Sequence, residues 1–158
     1  MDYYENIVID YLRADRALFV NTQCCLQLVK AHNPDTSGRH WYCDAVAADF
    51  RSHTVFLCEI SYGSQLSALC KRLKDWQDHW KSLVDALKRD CYLPLEWPVH
   101  VWLFVPKHVV SLLEKRLSRI GNGLPLNFIH KITELENVQP WLYCSWDRTA
   151  EADKGGIL

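Results

Sequence analysis

Two acids, Asp44 and Glu59, stand inside strongly apolar, strand-like segments, Tyr42-Cys43-Asp44-Ala45-Val46 and Phe56-Leu57-Cys58-Glu59-Ile60. A carboxylate in such surroundings is costly unless it is paired, hydrogen-bonded or bound to a metal. Glu59 and Ser61 are two apart on a strand and therefore share a face. Whether Asp44 joins them depends on the hairpin between the strands. A two-residue turn at Ser52-His53 pairs Arg51 with Thr54, sets Asp44 across from Ser61 and Val46 across from Glu59, and makes Asp44 and Glu59 diagonal neighbours about 7 Å apart. At that separation both carboxylates can hold one divalent ion. A turn of odd length without a bulge places them on opposite faces. The alternative for these acids is a plain structural role, at strand ends facing water or paired with Arg39 or Arg72.

The elements that must position them are legible from periodicity. Tyr3, Tyr4, Ile7, Val8, Tyr11 and Leu12 mark an amphipathic first helix capped by Asp2, with Glu5 beside its apolar stripe. Ala17 to Gln23 reads as a strand, Cys24 to His32 suits either strand or helix, and Asn33-Pro34-Asp35-Thr36-Ser37-Gly38 reads as a loop. Trp41 to Phe50 and Thr54 to Tyr62 form the hairpin. Gly63-Ser64 ends it and offers Ser64 as N-cap to one long helix from Gln65 to about Asp90, striped by Leu66, Leu69, Leu73, Trp76, Trp80, Leu83, Val84 and Leu87. A strand from His100 to Val105, a helix from Val109 ended at Gly121-Asn122-Gly123, and a strand from Leu126 to Thr133 follow. Trp141 to Trp146 reads as an edge segment. The order αβββαβαβ predicts an α/β (α+β) fold, a mixed sheet flanked by helices, in one domain over 1–146, with 147–158 as a flexible tail.

The chain has 158 residues, 49% hydrophobic and 23% charged, with net charge -1. It is long enough for one real core, and its charge does not hold nucleic acid or anionic lipid in bulk. With no apolar run long enough to span a bilayer and no signal-type start, the expected location is cytoplasmic. Seven scattered cysteines without a Cys-x-x-Cys pair predict free thiols and neither a disulfide framework nor a zinc site. There is no Gly-rich phosphate loop, no Gly-x-Ser-x-Gly elbow and no His-Glu-x-x-His helix. The helix cations Lys71, Arg72, Lys74, Lys81, Lys115, Arg116 and Arg119 could touch phosphates but read as solvated faces. Trp76, Trp80 and Trp102 read as core, Trp41, Trp97 and Trp146 as candidate surface aromatics, and His40 and His53 as residues flanking the hairpin.

A helix bearing an acid, a strand, a hairpin with Asp on one arm and Glu-x-x on the other, then a helix and a strand, resembles the PD-(D/E)XK nuclease superfamily, with its restriction-endonuclease-like fold. The resemblance runs from Met1 to about Val105 and rests on Asp44, fourteen intervening residues, and Glu59-Ile60-Ser61, with Glu5 matching the acid many members carry on the first helix. It implies a hydrolase of phosphodiester bonds, with Glu5, Asp44 and Glu59 on Mg²⁺ or Mn²⁺, nucleic acid (DNA foremost) as partner, and a homo-oligomer as an open possibility. Ser61 occupies the place of the motif lysine and cannot supply its charge. Some members bring the cation from the following helix, where Arg72 is the nearest flanking candidate and a weak substitute; Gln65, read as a first-turn residue, is placed to hold a water or phosphate. Asp35, in Pro34-Asp35, reads as a turn residue, and Asp44 is preferred as the motif acid. Two other readings stand beside this one: a module of the same fold that lacks catalysis and binds nucleic acid or a protein partner, and an unrelated interaction protein whose acids are incidental.

Overall fold

The computed structural model describes residues 2–28, 40–144, 146 and 148. The loop at 33–38 with Asp35, Arg39, and all of the tail 147–158 except Arg148 lie outside the described residues.

The sequence folds as α+β, with five strands in the order β1-β2-β3-β4-β5. They are β1 (Leu18–Gln27), β2 (His40–Asp49), β3 (Thr54–Ile60), β4 (Val99–Val105) and β5 (His130–Glu134). The first three run antiparallel, and β3-β4 and β4-β5 are parallel. The helices are α1 (Tyr3–Arg13), α2 (Ser67–Asp78), α3 (Trp80–Cys91) and α4 (Val110–Ile120). Parallel neighbours need a crossover, supplied by α2 and α3 between β3 and β4 and by α4 between β4 and β5. Among the described residues no helix is long and apolar enough to cross a membrane.

Strand alternation sorts the side chains into two cores. On one face Val46, Val55, Leu57, Val101 and Leu103 pack against Leu69, Leu73, Leu83, Leu87, Leu113 and Leu117 of α2, α3 and α4. On the other, Ala45, Ala47, Cys58, Ile60, Trp102 and Phe104 pack against Ile7, Val8, Ile9 and Leu12 of α1. The small residues of β2 on that second face let α1 lie close to the sheet. Asp2 caps α1 as expected, its carboxylate accepting the Glu5 N–H at 2.8 Å.

The hairpin between β2 and β3 differs from the expected two-residue turn. Asp49 pairs with Thr54, so residues 50–53 form the turn. The Asp49 carboxylate takes the N–H groups of Arg51 and Ser52, while Phe50 N donates to Ala17 O instead of reaching across to β3. Arg51 is anchored outward by a two-bond pair with buried Asp15. His53 adopts a left-handed φ of 54° and stacks on Trp97, which is buried and not a surface aromatic.

The expected long helix is two. The chain breaks at His79, with φ −125° and ψ 24°, and no Pro or Gly is involved. The bend lets α2 pack beside α4 while α3 turns toward β1. A single straight rod carrying both Trp76 and Trp80 cannot serve both neighbours. Ser64 does not cap α2: the N-cap is Leu66, buried and left-handed at φ 57°, without a side-chain capping bond. Strand β1 extends through Cys24 and Cys25, settling that ambiguous stretch as sheet to Gln27, and β5 starts at His130 and not at Leu126. Around Trp141 the chain makes a 3-10 turn, Pro140–Leu142, where an edge segment was expected. Gly121 ends α4 because a Cβ there would collide with the Leu124 carbonyl.

Leu73, wholly buried where α2 meets the sheet, tests this packing. Leu73→Ala is expected to cost about 2–5 kcal/mol. Urea denaturation measures it, and a loss below about 0.5 kcal/mol would mean that α2 is not docked as described.

Candidate active site

Asp44 and Glu59 come together, by a shorter route than the expected diagonal. The β2-β3 ladder runs to Ala45 opposite Cys58, and one more step sets Asp44 directly opposite Glu59. The turn is longer by two residues than expected, and a shift of two preserves which face each side chain takes. Both acids therefore lie on the side covered by α2, α3 and α4. The Asp44 carboxylate folds back onto the backbone of the partner strand, Oδ2 accepting the Ile60 N–H at 2.8 Å. That bond orients one oxygen and leaves the other directed elsewhere.

Glu59 is only 1% exposed. Arg72, one turn into α2, brings Nη2 to 2.9 Å from Oε2. The contact is ionic without hydrogen-bond alignment, so both Glu59 oxygens and the Arg72 Nε are buried without a hydrogen-bond partner. Burial pushes the Glu59 carboxyl up, the negative charge of Asp44 pushes it further, and Arg72 pulls it back; the result is about 8. Arg72 does not win because its side chain is 40% exposed and its charge is screened by water. The group is thus a buried Glu59 faced by a half-buried Asp44, with one cation at the rim.

The other expected site residues are placed less closely. Ser61 extends β3 past its last residue, its N–H donating to Phe104 O, and strand alternation gives it the face of Glu59. Gln65 is exposed and lies in the loop before Leu66, not in the first turn of α2; its carbonyl accepts from Arg116 Nη1 at 2.5 Å. Glu5 belongs to α1, in the layer across the sheet. The first turn of α1 does reach the end of β3, where Tyr4 stacks on Tyr62 at 4.7 Å. Among the described residues no three His, Cys, Asp or Glu side chains converge as a metal-ligand group.

Of the alternatives for Glu59, pairing with Arg72 is present, and Arg39 lies outside the described residues. The helix period places Arg72 on the flank of the apolar stripe, which makes it a candidate but cannot choose between it and Arg39. The Arg116 bond to Gln65 joins residues 51 apart and has no local signature. The solvated reading of the other helix cations fits Lys74 and Lys81, each paired with an aspartate one turn on.

Chemically, the pair Asp44 and Glu59 fits a divalent cation in one respect: two adjacent carboxyls, one with both oxygens lacking donors, are stabilised by added positive charge. The Arg72 guanidinium supplies part of that charge already.

Between the ordinary value near 4.5 and about 8, folded Glu59 holds a proton that the unfolded chain releases. Its contribution to stability is therefore fully present below the unfolded value and is lost as pH rises through the folded one. At about 1.4 kcal/mol per pKa unit the loss is on the order of a few kcal/mol. Glu59→Gln, which keeps the shape without titrating, is expected to flatten the fall in stability between mildly acid and mildly alkaline pH. Urea unfolding across that range checks it, and an identical slope in the variant would assign the fall to other groups. Compared with family models, curated proteins and solved structures, this chain matches none, so its functional reading rests on the geometry of Asp44, Glu59 and Arg72.

Proposed function

We propose that this protein is a metal-dependent hydrolase of phosphodiester bonds in nucleic acid, of the PD-(D/E)XK nuclease type. The observation that carries the reading is the apposition of Asp44 and Glu59, with Glu59 buried and lacking hydrogen-bond donors beside a helix cation. A carboxylate pair that serves only structure gains nothing from this apposition, in which Asp44 raises the proton affinity of buried Glu59.

Asp44 and Glu59 would hold Mg²⁺ or Mn²⁺. When bound, the metal polarises the phosphoryl oxygen and lowers the pKa of a water. The chain's own residues do the rest. The Ile60 N–H keeps half-buried Asp44 aimed, and burial keeps the Glu59 carboxyl out of water. Arg72, paired with Glu59 over 2.9 Å, carries a planar fork that would suit a phosphate oxygen and would supply the positive charge that Ser61 cannot. The Ser61 hydroxyl offers a hydrogen bond to a water on the same face. Glu5 completes the set only if α1 brings its carboxylate round the end of β3.

A second reading is favoured by one specific observation: Arg72 is already paired with Glu59, and a serine stands at the motif lysine. On that reading the protein is a nuclease-fold module without catalysis that binds nucleic acid or a protein partner.

The test is calorimetric titration of Mn²⁺ and Mg²⁺ into the wild type, followed by a cleavage assay on double-stranded DNA, single-stranded DNA and RNA. The hydrolase reading expects metal-dependent cleavage that falls by about 10²-fold or more in Asp44→Ala and Glu59→Ala, with Arg72→Lys keeping more activity than Arg72→Ala. Nucleic-acid binding that survives both acid variants, without metal binding or cleavage in the wild type, would overturn it in favour of the second reading. Undiminished cleavage in both variants would remove the site assignment altogether.

A further inference from the structure

Cys24 and Cys91 lie 67 residues apart in sequence, yet their sulfurs are 4.0 Å apart. The fold brings them together: Cys24 is buried on β1, and Cys91 is the last residue of α3, which the break at His79 steers onto that strand. Tyr92, left-handed at φ 52°, ends the helix immediately after the thiol. Cys91 also lines an open groove of about 630 Å³, with Val20, Phe50, Tyr92 and Trp97 among its walls. Half-buried Cys91 thus borders the groove, and buried Cys24 lies against it.

We propose that Cys24 and Cys91 form an oxidisable dithiol site, in which Cys91 is attacked first, by a hydroperoxide entering the groove, and Cys24 resolves the product to a disulfide. In the first step the Cys91 thiolate attacks a peroxide oxygen, the O–O bond breaks, and hydroxide leaves, giving a sulfenic acid. In the second, Cys24 loses its proton, its sulfur attacks the Cys91 sulfur, the S–O bond breaks, and the oxygen departs as water. The peroxide gains two electrons and the thiol pair loses two. Either sulfur can donate in the contact between them, and Cys24 also reaches the Cys25 carbonyl at 3.8 Å; with Cys24 donating to Cys91, the Cys91 thiol is held down to about 7 against burial and the charge of Asp90, which puts a thiolate at hand near neutral pH. The same contact, with burial, pushes Cys24 up and keeps it protonated until the sulfenic acid forms.

The contrast with Cys43 and Cys58 sharpens the assignment. Both are buried, burial and the nearby carboxylates push both thiols up, and Cys43 spends its proton on the carbonyls of Ala45 and Cys58. Those thiols are inert packing groups. The Cys24 and Cys91 sulfurs must close from 4.0 Å to a bond of about 2.0 Å.

The test uses the reduced full-length protein with hydrogen peroxide at a small molar excess, followed by alkylation, thiol counting and peptide mapping. The expected result is loss of both thiols together, a linked Cys24–Cys91 peptide, and reversal by dithiothreitol. The linked protein should also melt at higher temperature, because the bond closes a long loop in the unfolded chain. Cys24→Ser should leave Cys91 as a sulfenic acid trapped by dimedone, and Cys91→Ser should slow oxidation of Cys24 by roughly tenfold or more. Either Cys91 or Cys24 surviving while other cysteines oxidise, or linking to a different cysteine, overturns the proposal. The wild-type map decides this even if a variant fails to fold. Nuclease assays play no part in it, so this inference and the proposed function stand or fall separately.

Discussion

Strand β3 joins the two cores of this protein, and the constraint it imposes governs the rest. Val55 and Leu57 face α2, α3 and α4, Cys58 and Ile60 face α1, and every position between Thr54 and Ile60 except Phe56 is buried. Such a strand offers no water to a charged group. Glu59 sits in it nonetheless, so its neighbours must answer for its charge: Asp44 across the ladder, Arg72 over it from α2, and a proton when those do not suffice. The functional reading is an inference from that arrangement.

The helical layer follows from the same requirement. For Arg72 to stand over Glu59, α2 must cross the end of β3 at a set height, and Leu69, Leu73 and Trp76 provide the buried contact that holds it there. The chain then has to reach β1 as well, which a straight continuation cannot do, and the break at His79 turns α3 to that side. The bend that frees α2 to cover the acids is also what delivers Cys91 to Cys24. The two sites thus share a cause in the packing while using different chemistry.

Several features were legible because they depend on local periodicity. The strand and helix order, the Asp2 cap and the burial of Trp76 and Trp102 all follow from spacing along the chain. The shared face of Asp44 and Glu59 was legible in a weaker sense. It rests on an even step in register, and the actual turn, two residues longer, keeps the same parity. The length of the turn was not legible, since Asp49, Phe50 and Arg51 are drawn away from a tight hairpin by contacts to their own turn, to Ala17 and to Asp15. The helix break was hidden as well, because a continuous apolar stripe looks the same whether it covers one neighbour or is bent to cover two.

By itself, then, the sequence determined which stretches are helical or extended and their order along the chain, because helical and strand periods are properties of neighbouring residues, and it left the shared face of the acids conditional on the turn. Only the tertiary structure decided that Asp44 faces Glu59 and not Ser61, that Arg72 is the cation over it, that Gln65 stands outside the helix and Glu5 across the sheet, and that two cysteines meet. Each of those depends on how far one element slides or bends against another. That displacement is set by the packing of whole faces, in which no single residue carries the information.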